Sequence, residues 1–156
     1  MTTSHLLHEL SEDAALTMLS AVRAHAQQLG VAVCIAIVGP QGLPILRFRM
    51  QGAPLHSAEY ADDKAYTAAS FKRPTHQWDE RLEAHPKVQQ ALAGHPRMLM
   101  LGGGVPVLMP ITDPAETGIT NDVLLGAIGV SGASVEQDIQ CAEAAIAALR
   151  ALAPNT

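Results

Sequence analysis

The first periodic run of apolar residues starts after Ser11. Ala15, Leu16, Leu19, Val22, Ala26 and Leu29 recur at the helical period and stop at Gly30. Ser11 can cap the first turn, and Glu12 and Asp13 suit the positive end of the helix dipole. Gly30 suits the left-handed residue that closes a helix. The pattern then changes. Val31–Val38, VAVCIAIV, is continuously apolar, GPQG ends it, and Leu43–Arg49 alternates. Two strand patterns around a short Gly/Pro turn predict a hairpin.

Ser57–Phe71 predicts a second long helix with Ser57 as its cap. Ala61, Lys64, Ala65, Ala68 and Ala69 share neighbouring faces, and alanine on a face lets another element come close. Thr75 is placed as the cap of a short helix before Trp78 and Leu82. Residues 85–96 add a further turn or two, closed by Gly94 and Pro96. Residues 97–110, RMLMLGGGVPVLMP, read as strand, glycines, strand. After a polar loop, Val123–Val130 reads as a third strand of this half. Gly126 and Gly129 inside it suggest close packing across the sheet. Ser134 and Gln137 form a capping-box pair that opens a last helix, apolar at Val135, Ile139, Ala142, Ile146 and Leu149. Strands segregated from helices and joined by short turns predict an α+β layered domain with a mostly antiparallel sheet.

The length of 156 residues suits one domain over 11–150, with a flexible start at 1–10 and a tail at 151–156. Apolar residues make up 48% but aromatics only 3%, so the core must be aliphatic and alanine-rich, with little surface for stacking bases. The net charge of -5, with no basic cluster beyond Phe71–Pro74, argues against nucleic acid as a partner. No apolar run approaches the ~20 residues of a membrane-spanning helix. The N-terminal segment lacks the order of a secretion signal. Cys34 and Cys141 fall in a strand pattern and a helix pattern, read as buried free thiols, and fit a cytoplasmic setting. HExxH, CxxC, the phosphate-binding loop, the dinucleotide fingerprint and the nucleophile elbow are all missing, so no metal site is expected.

Candidate chemistry centres on Gly102, Gly103 and Gly104. A two-residue turn needs at most two glycines. The third points either to a bulge or to backbone held close to a ligand, with N–H groups free for an anionic oxygen. Lys64, on the alanine-rich face, either snorkels to solvent or is a buried cation facing a ligand carboxylate, or a base if desolvation lowers its pKa. Glu59 and Asp63, at i and i+4, can share a helix face near it. Of seven histidines, His25 and His56 are the best ligand or proton-transfer candidates: His25 lies near the polar edge of the first helix, and His56 adjoins the N-terminus of the second. Arg47 and Arg49 flank Phe48, and either can pair with acids or reach a ligand carboxylate. Ser131 and Gln137, beside the start of the last helix, either serve its cap or line a pocket with the glycines.

Four segments carry a family resemblance: residues 31–54, ADDKAYTAASFKRPT at 61–75, LGGGVPV at 101–107, and LLGAIGVSGASVEQD at 124–138. In this order the chain resembles the small haem-binding domains of the GlcG/HbpS type, also found as the C-terminal domain of PduO-like proteins. The resemblance implies a profilin-like three-layer domain, a central antiparallel sheet flanked by helices, assembled as dimers up to octamers. It implies a haem or small-molecule binder, in some members tied to catabolic operons. The chain departs from the pattern at Gly39, where the usual turn carries an acid. It departs again in the extra polar residues around 110–121, and in a histidine- and acid-rich stretch at 76–96.

Two functions follow from these residues. The first is a homo-oligomer that binds haem or a small carboxylated molecule between the sheet edge, the Lys64 helix and the glycines. His25 and Gly102–Gly104 would serve the cofactor, and Arg49, Asp63, Ser131 and Gln137 the ligand. The second is a cofactor-independent isomerase, hydrolase or decarboxylase. There Lys64, Glu59 or His56 supplies acid/base work and the glycine backbone stabilises an oxyanion. A structural oligomer without ligand would instead show the glycines packed against side chains.

Overall fold

The computed structural model describes residues 6–112 and 120–152. His5 and most of the insertion near 110–121 lie outside them. Helix α1 (Glu12–Leu29) leads to a hairpin of β1 (Cys34–Val38) and β2 (Pro44–Arg49), then to α2 (Ser57–Phe71). A 3₁₀ turn (Thr75–Trp78) and two short helices, α3 (Asp79–Ala84) and α4 (Pro86–Ala93), follow. Strands β3 (Gly104–Thr112) and β4 (Thr120–Ser131) and helix α5 (Val135–Leu152) complete the chain. The sheet is antiparallel throughout, in the order β2-β1-β4-β3.

Helices α1 and α5 cover one face of the sheet and α2 covers the other. The alternation within the central strands sets how close each layer sits. On β1, Ile35 and Ile37 point into the core with Met18, Val22 and Ile146, while Cys34, Ala36 and Val38 point at α2. On β4, Ile128 and Val130 take the first side and Ala127 the second. The α2 side is thus built of small residues on both partners, since Ala61, Ala65, Ala68 and Ala69 face it. A β-carbon on Gly129 would collide with the Ala61 carbonyl, and one on Gly104 with the Lys64 carbonyl. The helix backbone therefore lies almost directly on the sheet. Close packing around Gly129 bears out the reading of that strand.

The caps follow the sequence at three ends. Ser11 accepts the Ala14 N–H, and Gly30 closes α1 at φ +69°. Ser134 and Gln137 exchange both capping-box hydrogen bonds at 3.2 Å. Elsewhere the structure corrects the expectation. His56, not Ser57, is the residue before α2, because the chain turns one residue earlier and Tyr60 N–H bonds the His56 carbonyl. Ser57 Oγ is buried without a partner. Thr75 caps nothing; its hydroxyl is drawn to the glycine segment, as described below. Residues 97–100 form no strand, because their hydrogen bonds go to α2 rather than to a neighbouring strand. The second half therefore contributes two strands, not three. The nominal start at 1–10 is anchored at its end: Leu10 is buried and donates its N–H to the Leu125 carbonyl. That carbonyl is freed by a bulge, where the register steps from Val107↔Gly126 to Leu108↔Leu124.

Candidate functional site

Lys64 leaves α2 on its sheet-facing side and has no exposed surface. Its ammonium passes the glycine segment and donates to Asp138 Oδ2 on α5 (2.9 Å) and to the Val130 carbonyl on β4 (3.0 Å). One side chain thus links both helical layers and the sheet. Asp138 Oδ1 accepts the Ala133 N–H at 3.0 Å, which holds the carboxylate at the mouth of α5. Burial pushes the Lys64 ammonium below its ordinary range and the Asp138 carboxyl above its own; their mutual hydrogen bond and attraction oppose both shifts.

The three glycines make room for this crossing. All three are buried. A β-carbon on Gly103, at φ +117°, would lie 3.0 Å from Lys64 Nζ and 3.1 Å from Asp138 Cβ. One on Gly102 would meet Ile139 and Val135 at under 3 Å, and one on Gly104 would meet Thr75 Cγ2 at 2.7 Å. The segment therefore packs against protein, not against an open cavity. That corrects the expected pocket between the sheet edge, α2 and the glycines: the space there is filled by the lysine itself.

Two buried threonines fix the chain on either side. Thr67 Oγ1 accepts the Leu99 N–H (2.9 Å) and donates to the Arg97 carbonyl (3.2 Å). Thr75 Oγ1 accepts the Gly104 N–H (2.9 Å) and donates to the Leu101 carbonyl (2.6 Å). Both hydroxyls give the backbone what a neighbouring strand would otherwise supply.

The remaining candidates are dispersed. Adjacent helical residues do not share a face, so Asp63 points away from Lys64. Asp63 accepts from Arg97 Nε at 3.3 Å, Arg47 Nε donates to Asp62 at 2.8 Å, and Glu59 stands beside them in a 400 Å³ polar cleft. Arg97 also lies over the Tyr66 ring, 4.0 Å from its centre. His56 is exposed and meets Tyr60 edge-on. Arg49 is exposed and lines a smaller cleft of 210 Å³ with Ile35, Arg47, Phe48, Ala58 and Asp62. Ser131 is buried at the end of β4, and Gln137 serves the α5 cap. His25 lies on α1, in the layer opposite α2, with its Nε2 buried and unpartnered. Two further clefts exist, one of 410 Å³ beside Ser11 and Met109 and one of 420 Å³ between α3, α4 and residues 98–100. Lys64 lines none of the four.

From the sequence, Asp138 is a first-turn charge of the last helix that either serves its dipole or lines a pocket with the glycines; its pairing with Lys64 was missed. A signal was present: Asp138 lies three residues after Val135 and four before Ala142, on the apolar stripe of α5. A carboxylate there must be buried, and a buried carboxylate needs a cation.

A central antiparallel sheet held between helical layers defines the class of protein. Residues 10–147 match the family of haem-degrading HbpS-like proteins, and the chain belongs to that family. The structure of the Klebsiella pneumoniae protein ORFY superposes with a TM-score of 0.81 at 29% identity, covering 97% of this chain and 98% of that one. A crystallised PduOC–haem complex superposes at 0.72 with 34% identity, covering 90% of this chain and 94% of that one. The corrinoid adenosyltransferase PduO of Salmonella typhimurium is 33% identical over 148 residues; the match takes in 93% of this chain but 38% of PduO. No helix of the described residues is long and apolar enough to cross a membrane.

Proposed function

We propose that this protein is a haem-binding member of the HbpS-like family that works as a cytoplasmic homo-oligomer. The observation that carries the reading is the PduOC–haem complex, whose protein shares this fold and 34% of these residues. Haem asks its host for an axial ligand and an apolar wall. His25 fits the first role: an imidazole nitrogen buried without a hydrogen-bond partner is unsatisfied in the isolated chain. Phe48 supplies apolar surface packed on the same layer, and Arg23, 5.4 Å from the centre of the Phe48 ring, places a cation there that a carboxylated ligand would favour. None of the four clefts is lined by a histidine, which favours a haem shared between copies of the chain. Bound haem would supply redox-active iron; the chain's own part is to ligate it and shield it from water.

The acid/base reading on Lys64 loses its support. A side chain with no exposed surface, already hydrogen-bonded to Asp138 and Val130, meets no substrate in this fold.

Titration with haemin, followed at the Soret band, tests the proposal. Saturation near stoichiometry is expected, with a band shift that His25→Ala abolishes and the double variant Lys64→Met, Asp138→Leu preserves. Native mass spectrometry of the loaded protein would report copies and haems together. No Soret change at stoichiometric haemin would overturn the haem reading; an unchanged spectrum in the His25 variant would remove His25 as ligand.

A further inference from the structure

Met98 and Met100 are half-buried and line one cleft of 420 Å³. Leu82, Leu92, Ala93 and the polar Gln89 complete its walls, with the exposed carboxylates of Asp79 and Glu83. From this we propose a binding site for a soft monovalent metal ion, Cu(I), held by the two thioethers. The proposal does not rest on the haem reading.

The first argument is the backbone. Met98 and Met100, on either side of Leu99, both line the same cleft. Their base is fixed, because Thr67 clamps Arg97 and Leu99 against α2, so the main chain between them cannot rotate freely. Thr75 clamps Leu101 immediately beyond Met100. Two flexible side chains are thus presented from a rigid base into one space. A methionine that only fills a core needs no such base, and neither of these is fully buried.

The second argument is the chemistry of the lining. Thioether sulfur is a soft, neutral donor that selects Cu(I) over hard divalent ions. A cation held by neutral donors needs counter-charge nearby, and Asp79 and Glu83 supply it without competing as soft ligands. Leu82, Leu92 and Ala93 give the cleft one apolar side. Among the described residues no histidine lines this cleft, so the thioethers carry the selectivity.

Silver(I), a redox-inert ion of the same softness, is the probe. The chain has six methionines, and labelling their methyl carbons gives each a separate NMR signal. Silver added to the full protein should move the signals of Met98 and Met100 and saturate at one ion per chain, while Met18 and Met109 stay in place. Met98→Leu and Met100→Leu assign the two signals and, together, should abolish the saturable shift with an unchanged circular dichroism spectrum. Asp79→Asn with Glu83→Gln should weaken binding roughly 10–100-fold while the same two signals still respond. The site is overturned if Met98 and Met100 do not shift. It is overturned equally if silver is taken up by the buried thiols Cys34 and Cys141 while those methyls stay still, or if the double Met→Leu variant binds as the parent does.

Discussion

Lys64 Nζ stands 2.9 Å from Asp138 Oδ2, across the end of the sheet, and neither side chain is more than 4% exposed. The two residues come from opposite helical layers, 74 positions apart. They meet only because Gly103 has no side chain in the path. The pair acts as a clasp between layers, and its energetics should be asymmetric. Lys64→Met leaves Asp138 buried without its cation and should cost about 3–5 kcal/mol. Lys64→Met combined with Asp138→Leu removes both desolvated charges and should recover most of that loss. Urea unfolding of the two single variants and the double variant gives the coupling directly; additive losses would show that the pair is not a unit.

Gly103 and Gly30 both have positive φ, yet they should respond differently to alanine. Gly30 has open space around it, so Gly30→Ala should cost only the left-handed penalty of about 1–2 kcal/mol. Gly103→Ala adds a clash with Lys64 Nζ and the Val130 carbonyl, and should cost about 3 kcal/mol or more. Thermal denaturation of both variants checks the order. Equal losses would mean that the lysine moves aside without cost.

Thr67 satisfies two backbone groups with one hydroxyl. Thr67→Val keeps the shape and leaves the Leu99 N–H and Arg97 carbonyl unpaired, at about 1–3 kcal/mol for each group that stays buried. Thr67→Ser should restore most of this. Hydrogen exchange at Leu99 gives the local readout: fast in the valine variant, slow in the parent and in the serine variant.

Cys141 should contribute a pH dependence at the alkaline end. Burial pushes its thiol up to about 11 from 9.0. Between those values the unfolded chain has lost a proton that the native chain keeps. The stability from this group is therefore complete below pH 9 and falls as pH rises to 11, by about 2–3 kcal/mol in all. The stability of the parent minus that of Cys141→Ala, measured by urea unfolding across this range, should decline with pH. A flat difference would mean that the native thiol ionises as readily as a free one.

The four main repeats of pattern in the chain translate directly into structure. α1 with both its caps, the first hairpin, α2 over Ser57–Phe71 and the Ser134–Gln137 box were legible because each depends on neighbours within about four residues. The layering was legible too. The small-large alternation in CIAIV and AIGV, set beside the alanine face of α2, already says which face of the sheet can take a helix at contact distance.

The errors have a common cause. Residues 97–100 look like a strand because they are apolar, but a strand is defined by its partner, and Thr67 takes the hydrogen bonds. Thr75 looks like a cap because it precedes a helical turn, but the Leu101 carbonyl and Gly104 N–H come within its reach only after folding. The sequence by itself determined the order of the long helices and the hairpin and the need for close approach at the glycines, because periodicity and residue size are local properties, while four quoted segments carried the family resemblance. Only the tertiary structure decided what LGGGVPV faces. Lys64 fills the space, Asp138 neutralises it from the other layer, and no spacing rule connects two charges that the fold alone brings to 2.9 Å.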